Sequence, residues 1–201
     1  MKYDLLGIGN ALVDIEVCVD DEFIKKNSLI KGGMTLSSVE KQQRILKELQ
    51  GLSTKVSSGG SAANTMHGLS ILGGETYYLG RVANDLYGRH YVEDMEACGV
   101  GFPGTGNGLS GTGTCVILVT PDSERTMLTH LGVSSSLHPD NVDEKIIEDS
   151  SMVYIEGYLW TGEETRNAAE KLAKIAKKNK IDPTQSILTT TFSMNTKRTL
   201  I

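Results

Sequence analysis

Two adjacent glycines, Gly59 and Gly60, stand directly before a run with helical spacing, Ser61 to Leu72. That junction constrains the fold more than any other stretch. Without a Cβ the backbone adopts conformations closed to other residues and comes close to whatever lies beside it. The helix that follows offers unpaired N–H groups and the positive end of its dipole. Asn64 sits near that start, where its amide can reach the hydroxyls of a polyol or sugar. Two readings stand open. One is a cradle for a neutral, oxygen-rich ligand or a transferred phosphate; the other is a strand-to-helix turn capped by Ser61.

Strand and helix patterns alternate on both sides of the junction. Tyr3 to Ile8 reads as a buried first strand. Gly7-Ile8-Gly9-Asn10-Ala11-Leu12 carries two glycines of a dinucleotide fingerprint, but Leu12 takes the third position. Asp14 to Val19 then alternates as a strand where that fingerprint needs a helix, so the reading is rejected. Lys31 to Leu36 reads as a turn and a short strand. Ser37 or Ser38 opens a helix through Gln50, with Val39, Gln42, Ile45, Leu46 and Leu49 inward. Ala62, Met66, Leu69 and Leu72 face inward on the helix after the diglycine, and Thr76 to Leu79 is the next strand.

Asp85 to Cys98 reads as a helix with Leu86, Tyr91, Met95 and Cys98 inward, Cys98 as a buried core thiol. The glycine-rich run Gly99 to Gly113 lacks the Gly-Lys-Ser/Thr ending and the following helix of a phosphate loop. Thr114 to Val119 and Thr126 to Leu131 flank a Pro121-Asp122-Ser123 turn, which predicts a hairpin. A short helix is expected from His138 through Asp149, then a buried strand from Ser151 to Ile155. Glu156 stands at its carboxyl end, where ligands of open α/β sheets gather. Glu163 to Lys178 is a helix with Ala168, Ala169, Leu172, Ile175 and Ala176 on one face and lysines opposite.

Composition narrows the function classes. A chain of 201 residues suits one domain with a sizeable core. A net charge of −5 argues against a nucleic-acid partner, which needs a basic face. No apolar run approaches the roughly 20 residues that cross a bilayer, and the N-terminus does not read as a signal peptide. Cys18, Cys98 and Cys115 are odd in number and far apart, which points away from disulfides and towards a reducing cytoplasm. The histidines show no ligand spacing, so no metal site is expected in this chain.

Several stretches act together as a signature: Gly9-Asn10-Ala11-Leu12-Val13-Asp14, Gly59-Gly60 with Asn64, Gly80 with Asp85 and Gly88, Gly113-Thr114-Cys115, Asp122 with Glu124-Arg125-Thr126, and Ile155-Glu156-Gly157-Tyr158. In order and spacing they resemble the first half of the ribokinase-like (PfkB) carbohydrate and nucleoside kinases, nearest the adenosine kinase branch. Met66 departs from the pattern, which usually carries a small residue there. The resemblance covers about residues 3 to 180. It implies a three-layer α/β/α sandwich, here its N-terminal part, with a small β-sheet lid. It also implies transfer of the ATP γ-phosphate, with Mg2+, to a primary hydroxyl on a sugar or nucleoside. Asn10, Asp14, Gly59, Gly60 and Asn64 would hold substrate hydroxyls, with Glu156 near the sugar. Residues alone leave Asp14 open as a solvated turn carboxylate; the matched context favours the substrate role. Cys115 matches a position lining the nucleoside pocket, and an ordinary core cysteine is an equal reading. Lid strands of such kinases suggest a homodimer.

Beyond Lys180 the chain turns threonine-rich and loses periodicity. In the family a buried strand belongs here, then an Asp-Thr-x-Gly-Ala-Gly-Asp run carrying the catalytic base and anion hole, and an Asn-x-x-Glu motif for magnesium. Both belong beyond the matched stretch, so neither is expected in this chain. The lysine-rich approach (Lys174, Lys177, Lys178, Lys180) implies adenine-rich codons, where reading frames slip, so a frame-shifted or deliberately shortened kinase is expected, with residues 182–201 an atypical, out-of-frame tail. Such a chain is expected to lack phosphoryl transfer, which depends on those missing groups. The rival expectation is a non-catalytic module that binds a ligand or partner. Adenosine and a simple sugar both remain open, with Met34 and Cys115 leaning towards a nucleoside.

Overall fold

The computed structural model of the chain describes residues 2–106 and 110–185. Gly108 of the glycine-rich run and the tail from 186 onward lie outside the described residues. Chain order begins with β1 (Leu5–Ile8), β2 (Leu12–Cys18), α1 (Asp21–Lys26), β3 (Met34–Leu36), α2 (Val39–Glu48), β4 (Thr54–Gly59) and α3 (Ser61–Ile71). It continues with β5 (Thr76–Leu79), β6 (Val82–Ala83), α4 (Leu86–Ala97), β7 (Val100–Gly101), β8 (Thr105–Gly106), β9 (Gly113–Val119) and β10 (Arg125–His130). α5 (Glu144–Glu148), β11 (Met152–Ile155), α6 (Glu163–Lys178) and β12 (Asp182–Gln185) complete it. Among the described residues no helix is long and apolar enough to cross a membrane.

Two five-stranded sheets organise these elements. The central sheet runs β12-β11-β1-β5-β7, every pair parallel. β1 shows why it lies in the middle. Leu6 and Ile8 face one way into a core with Val153, Ile155, Leu172 and Ala176, while Leu5 faces the other way towards Met66 and Tyr78. Both faces are therefore covered, as parallel sheets require. α3 and α4 pack on one side; α5 and α6 pack on the other. The expected three layers are present.

The second sheet, β3-β10-β9-β2-β4, is the lid. It is mixed: β2 pairs β9 in parallel and β4 antiparallel, and β10 pairs β9 antiparallel and β3 in parallel. Val13, Ile15, Val17, Val116, Leu118 and Leu128 alternate onto one face, against Ile24 of α1 and Ile45 of α2. The other face is left to the cavity described below.

Several sequence expectations need correction. The helix expected from His138 to Asp149 is two pieces, a 3-10 turn Pro139–Asn141 and α5. Val142 is extended between them, Asp143 caps α5, and Lys171 Nζ bonds the Pro139 and Val142 carbonyls at 2.8 and 3.2 Å. Those bonds hold the break open. Leu86 and Leu72 are exposed, because each sits at a helix end beyond the core's reach. Val39, in the first turn of α2, is exposed as well. Cys98 is only partly buried, at the C-cap of α4. α1 was not expected. Of the tail predicted to change character, only Asp182–Gln185 is described, as a strand parallel to β11.

Candidate functional site

The site lies where β1 and β11 end and β2 rises into the lid. Ile8 pairs with Ile155, so the next residues, Gly9-Asn10 and Glu156, leave the central sheet side by side. Strand ends at this side are where open α/β sheets collect ligands. Gly59-Gly60 reach the same point from the lid, and α3 begins there.

Glu156 ties these ends together. It is 2% exposed. Its Oε1 accepts from the Asn10 backbone N–H at 3.1 Å and from Asn10 Nδ2 at 2.9 Å. Its Oε2 accepts from Ser61 Oγ at 3.0 Å and from the Ala62 N–H at 3.1 Å. A buried carboxylate is tolerated only when so satisfied, and here it also meets the positive end of α3. The sequence resemblance puts Glu156 at the substrate sugar; the structure gives both of its oxygens to the scaffold. Ser61 is likewise not the cap of α3. Gly60 holds that position at φ 103°, and Ser61 donates to Glu156 instead.

The two glycines have distinct causes. A Cβ on Gly59 would fall on the Asp14 carboxyl, and one on Gly60 would fall on the Asn10 carbonyl. Gly60 is also in the left-handed region that other residues avoid. The Gly59 carbonyl accepts from Tyr91 Oη at 2.9 Å, which fixes the approach from α4. The close approach inferred from the sequence is therefore to the protein itself, to the Asp14 side chain and the Asn10 backbone.

Above this floor lies a cavity of about 390 Å³. Its floor is Asn10, Asp14, Gly60, Ser61, Asn64 and Glu156. Its roof comes from the lid at every second residue: Leu12 on β2, the strand that also carries Asp14 of the floor, Cys115 and Ile117 on β9, Arg125, Met127 and Thr129 on β10, Met34 and Leu36 on β3. Cross-strand register aligns them, with Asp14 opposite Cys115, Cys115 opposite Thr129, and Met127 opposite both Ile117 and Met34. Tyr158 and Thr161, from a 3-10 turn Gly157–Thr161, also line it. Of the expected site residues, Asn10, Asp14, Gly60, Asn64, Cys115 and Glu156 meet here, and Gly59 backs Asp14.

Electrostatics divides the cavity. Burial pushes the Asp14 carboxyl up to about 6, with Arg125 opposing the shift and Glu16 adding to it. Arg125 Nη2 holds Glu16 Oε2 at 3.2 Å, so one cation stands beside two carboxylates at the lid rim. Burial raises the Cys115 thiol to about 11, and its sulfur accepts from Thr129 Oγ1 at 3.4 Å. At neutral pH that group is a neutral wall rather than a nucleophile. Arg125, Ile117, Met127, Leu36, Tyr158 and Thr161 were missed as site residues. The alternation of β10 was the signal for the first and third; nothing local marks the 3-10 turn.

Among the described residues no group of three or more His, Cys, Asp or Glu side chains gathers to hold a metal. The letters Asn-x-x-Glu, expected only beyond the matched stretch, do occur at Asn141 to Glu144 and Asn167 to Glu170. None of these four residues lines the cavity, and Glu144 pairs instead with Lys178 at 3.4 Å.

Comparison with known proteins gives the following. The sequence model of the pfkB family carbohydrate kinases matches residues 34–198. The adenosine kinase of Saccharomyces cerevisiae is 32% identical over 187 residues, which are 89% of this chain and 54% of that protein. The guanosine-inosine kinase of Escherichia coli is 29% identical, over 87% of this chain and 42% of its own. Among solved structures, an adenosine kinase from Sinorhizobium meliloti superposes with a TM-score of 0.86 at 36% identity, over 92% of this chain and 56% of that one. One from Schistosoma mansoni, solved in complex with adenosine, gives 0.74 at 26% identity, over 89% and 52%. The chain spans about half the length of the curated relatives it matches.

Proposed function

Because this chain belongs to the pfkB family of carbohydrate kinases, we propose that its cavity is the acceptor site of a nucleoside kinase, taking adenosine or a similar purine nucleoside. The observation that carries this reading is the two-sided lining. Asn10, Asp14, Gly60 and Asn64 offer polar groups on the floor, and Met34, Leu36, Ile117, Met127 and Leu131 offer apolar ones on the roof. A ribose has hydroxyls for the floor and nothing for the roof. A nucleoside fills both, its flat base buried against methionine and aliphatic side chains. The names of the yeast and Escherichia coli relatives and the Schistosoma mansoni complex, with adenosine and with guanosine or inosine, agree with it.

In this reading the Asp14 carboxylate accepts from the ribose hydroxyls, and the Asn64 amide adds a directional contact. Gly60 lets the start of α3 close on the Asn10 backbone and so holds the floor in place. Glu156 acts through Asn10 and the start of α3 rather than on the sugar. The lid covers the base and keeps water from the acceptor hydroxyl. ATP supplies the phosphoryl group as second substrate. Among the described residues no cluster of three or more His, Cys, Asp or Glu side chains stands ready for the magnesium ion. The 201 residues by themselves bind the acceptor without transferring phosphate, since no Asp-Thr-x-Gly-Ala-Gly-Asp run is present.

A thermal-shift panel of nucleosides and sugars tests the reading. Adenosine at 100 times its dissociation constant raises stability by about 2.7 kcal/mol, and ribose at equal concentration by far less. Equal or absent shifts for both contradict it.

A further inference from the structure

The apolar roof depends on β3, a three-residue edge strand with little of its own to hold it. Met34 and Leu36 are 36% and 51% exposed, and only Thr35 points to the opposite face. Among the described residues β3 has one neighbour, β10. Just before β3, however, Lys31 Nζ lies 2.6 Å from Asp21 Oδ1 of α1 and 2.6 Å from Asp122 Oδ2 at the β9–β10 turn. Asp122 is itself held in place: its Oδ1 accepts from Thr120 Oγ1 at 2.6 Å. The Gly32 N–H donates to Thr126 Oγ1 at 3.0 Å, and the Met127 N–H donates to the Gly33 carbonyl at 2.9 Å. Gly32 has φ 71°, and a Cβ there would sit 2.7 Å from Glu124 Oε2. The turn is thus shaped to lie on the hairpin tip.

We propose that Lys31, clasped between Asp21 and Asp122, is a positioning residue that fixes β3 on β10 and so sets the affinity for the base of the substrate, not for its sugar. The substrate part rests on the nucleoside reading above; the strand-fixing part does not. The clasp bridges residues distant in sequence, 31 and 122, with a cation shared by two carboxylates. Because all three groups are partly exposed, its strength is that of surface ion pairs, enough to order a short edge without governing the whole fold.

The test uses the full chain and its Lys31→Met, Lys31→Arg and Asp122→Asn variants. Hydrogen exchange is read at the Ser37 and Met127 amides, which bond Thr129 and Gly33 carbonyls across the β3–β10 seam. Exchange there is expected to quicken about five-fold in Lys31→Met and Asp122→Asn, with Lys31→Arg near wild type. Adenosine binding is expected to weaken by a similar factor while the response to ribose stays unchanged. Unaltered exchange at both amides overturns the clasp, whatever binds. Altered exchange with adenosine and ribose weakened alike overturns the base-selective role. If the wild-type chain binds neither ligand, the nucleoside reading fails by itself, and the exchange result still decides the clasp.

Discussion

At the scale of single residues, Asp14 carries the sharpest consequence. A carboxyl raised from 3.8 to about 6 favours its protonated form in the folded state. Its contribution to stability is therefore present below 3.8 and lost as pH rises through about 6. Above that range the ionised group costs on the order of 1–3 kcal/mol, a cost that binding hydroxyls recovers. Asp14→Asn should accordingly stabilise the chain at pH 7.5 by that order and leave it unchanged near pH 3, read by denaturant unfolding. The same variant should weaken adenosine binding about 10- to 100-fold, since a hydroxyl bonds a charged acceptor more strongly than an amide oxygen. In the wild type, affinity should climb as pH rises through about 6 and then level off. A variant that is less stable at pH 7.5, or that binds as before, would contradict the role given to Asp14.

Between elements, Glu156 is the joint. Its four hydrogen bonds connect the end of β1, the end of β11 and the first turn of α3. Glu156→Gln presents an NH2 to N–H and O–H donors, so at least one of them loses its partner. Unfolding should show a loss of about 2–3 kcal/mol, and adenosine affinity should fall with it because Asn10 is released. Unchanged stability would return Glu156 to the substrate role near the sugar that the family resemblance implied. Much at this scale was legible. β5 and α6 fall where periodicity placed them, since a four-residue buried strand and a 16-residue amphipathic helix carry their patterns internally. α1 carries its signals at its ends: Asp20 accepts from the Phe23 N–H at 2.8 Å, acids open the helix and lysines close it. Its six residues are too few for a period to show. The cavity roof was not legible at all as a surface. Alternation marks each strand's face, but the parallel pairings β2–β9 and β3–β10 that bring four faces together span long stretches of chain and leave no local trace. The reason for Gly59 and Gly60 was hidden likewise, because the Asp14 carboxyl and Asn10 carbonyl that exclude a Cβ come from about 45 to 50 residues earlier.

Taken whole, the chain gathers polar groups where the parallel sheet ends, at the start of α3 and at Asp14 of β2, and sets mostly apolar ones on the rest of the mixed sheet above. The chain passes between the two at β2, β4, β9 and β10, and Val13, Ile15 and Val116 of the lid share one core with Met66 of α3 and Tyr91 of α4. Binding therefore asks the molecule to hold two sheets in one arrangement, and a ligand that touches both should order them together. The most direct measurement is titration calorimetry of adenosine, and of ribose beside it, into the 201-residue chain at pH 7.5. Saturable one-site binding of adenosine, at least about ten-fold tighter than ribose, is the result predicted from a floor and roof used at once. No adenosine binding, or equal affinity for the two, would mean that the cavity is not a nucleoside site.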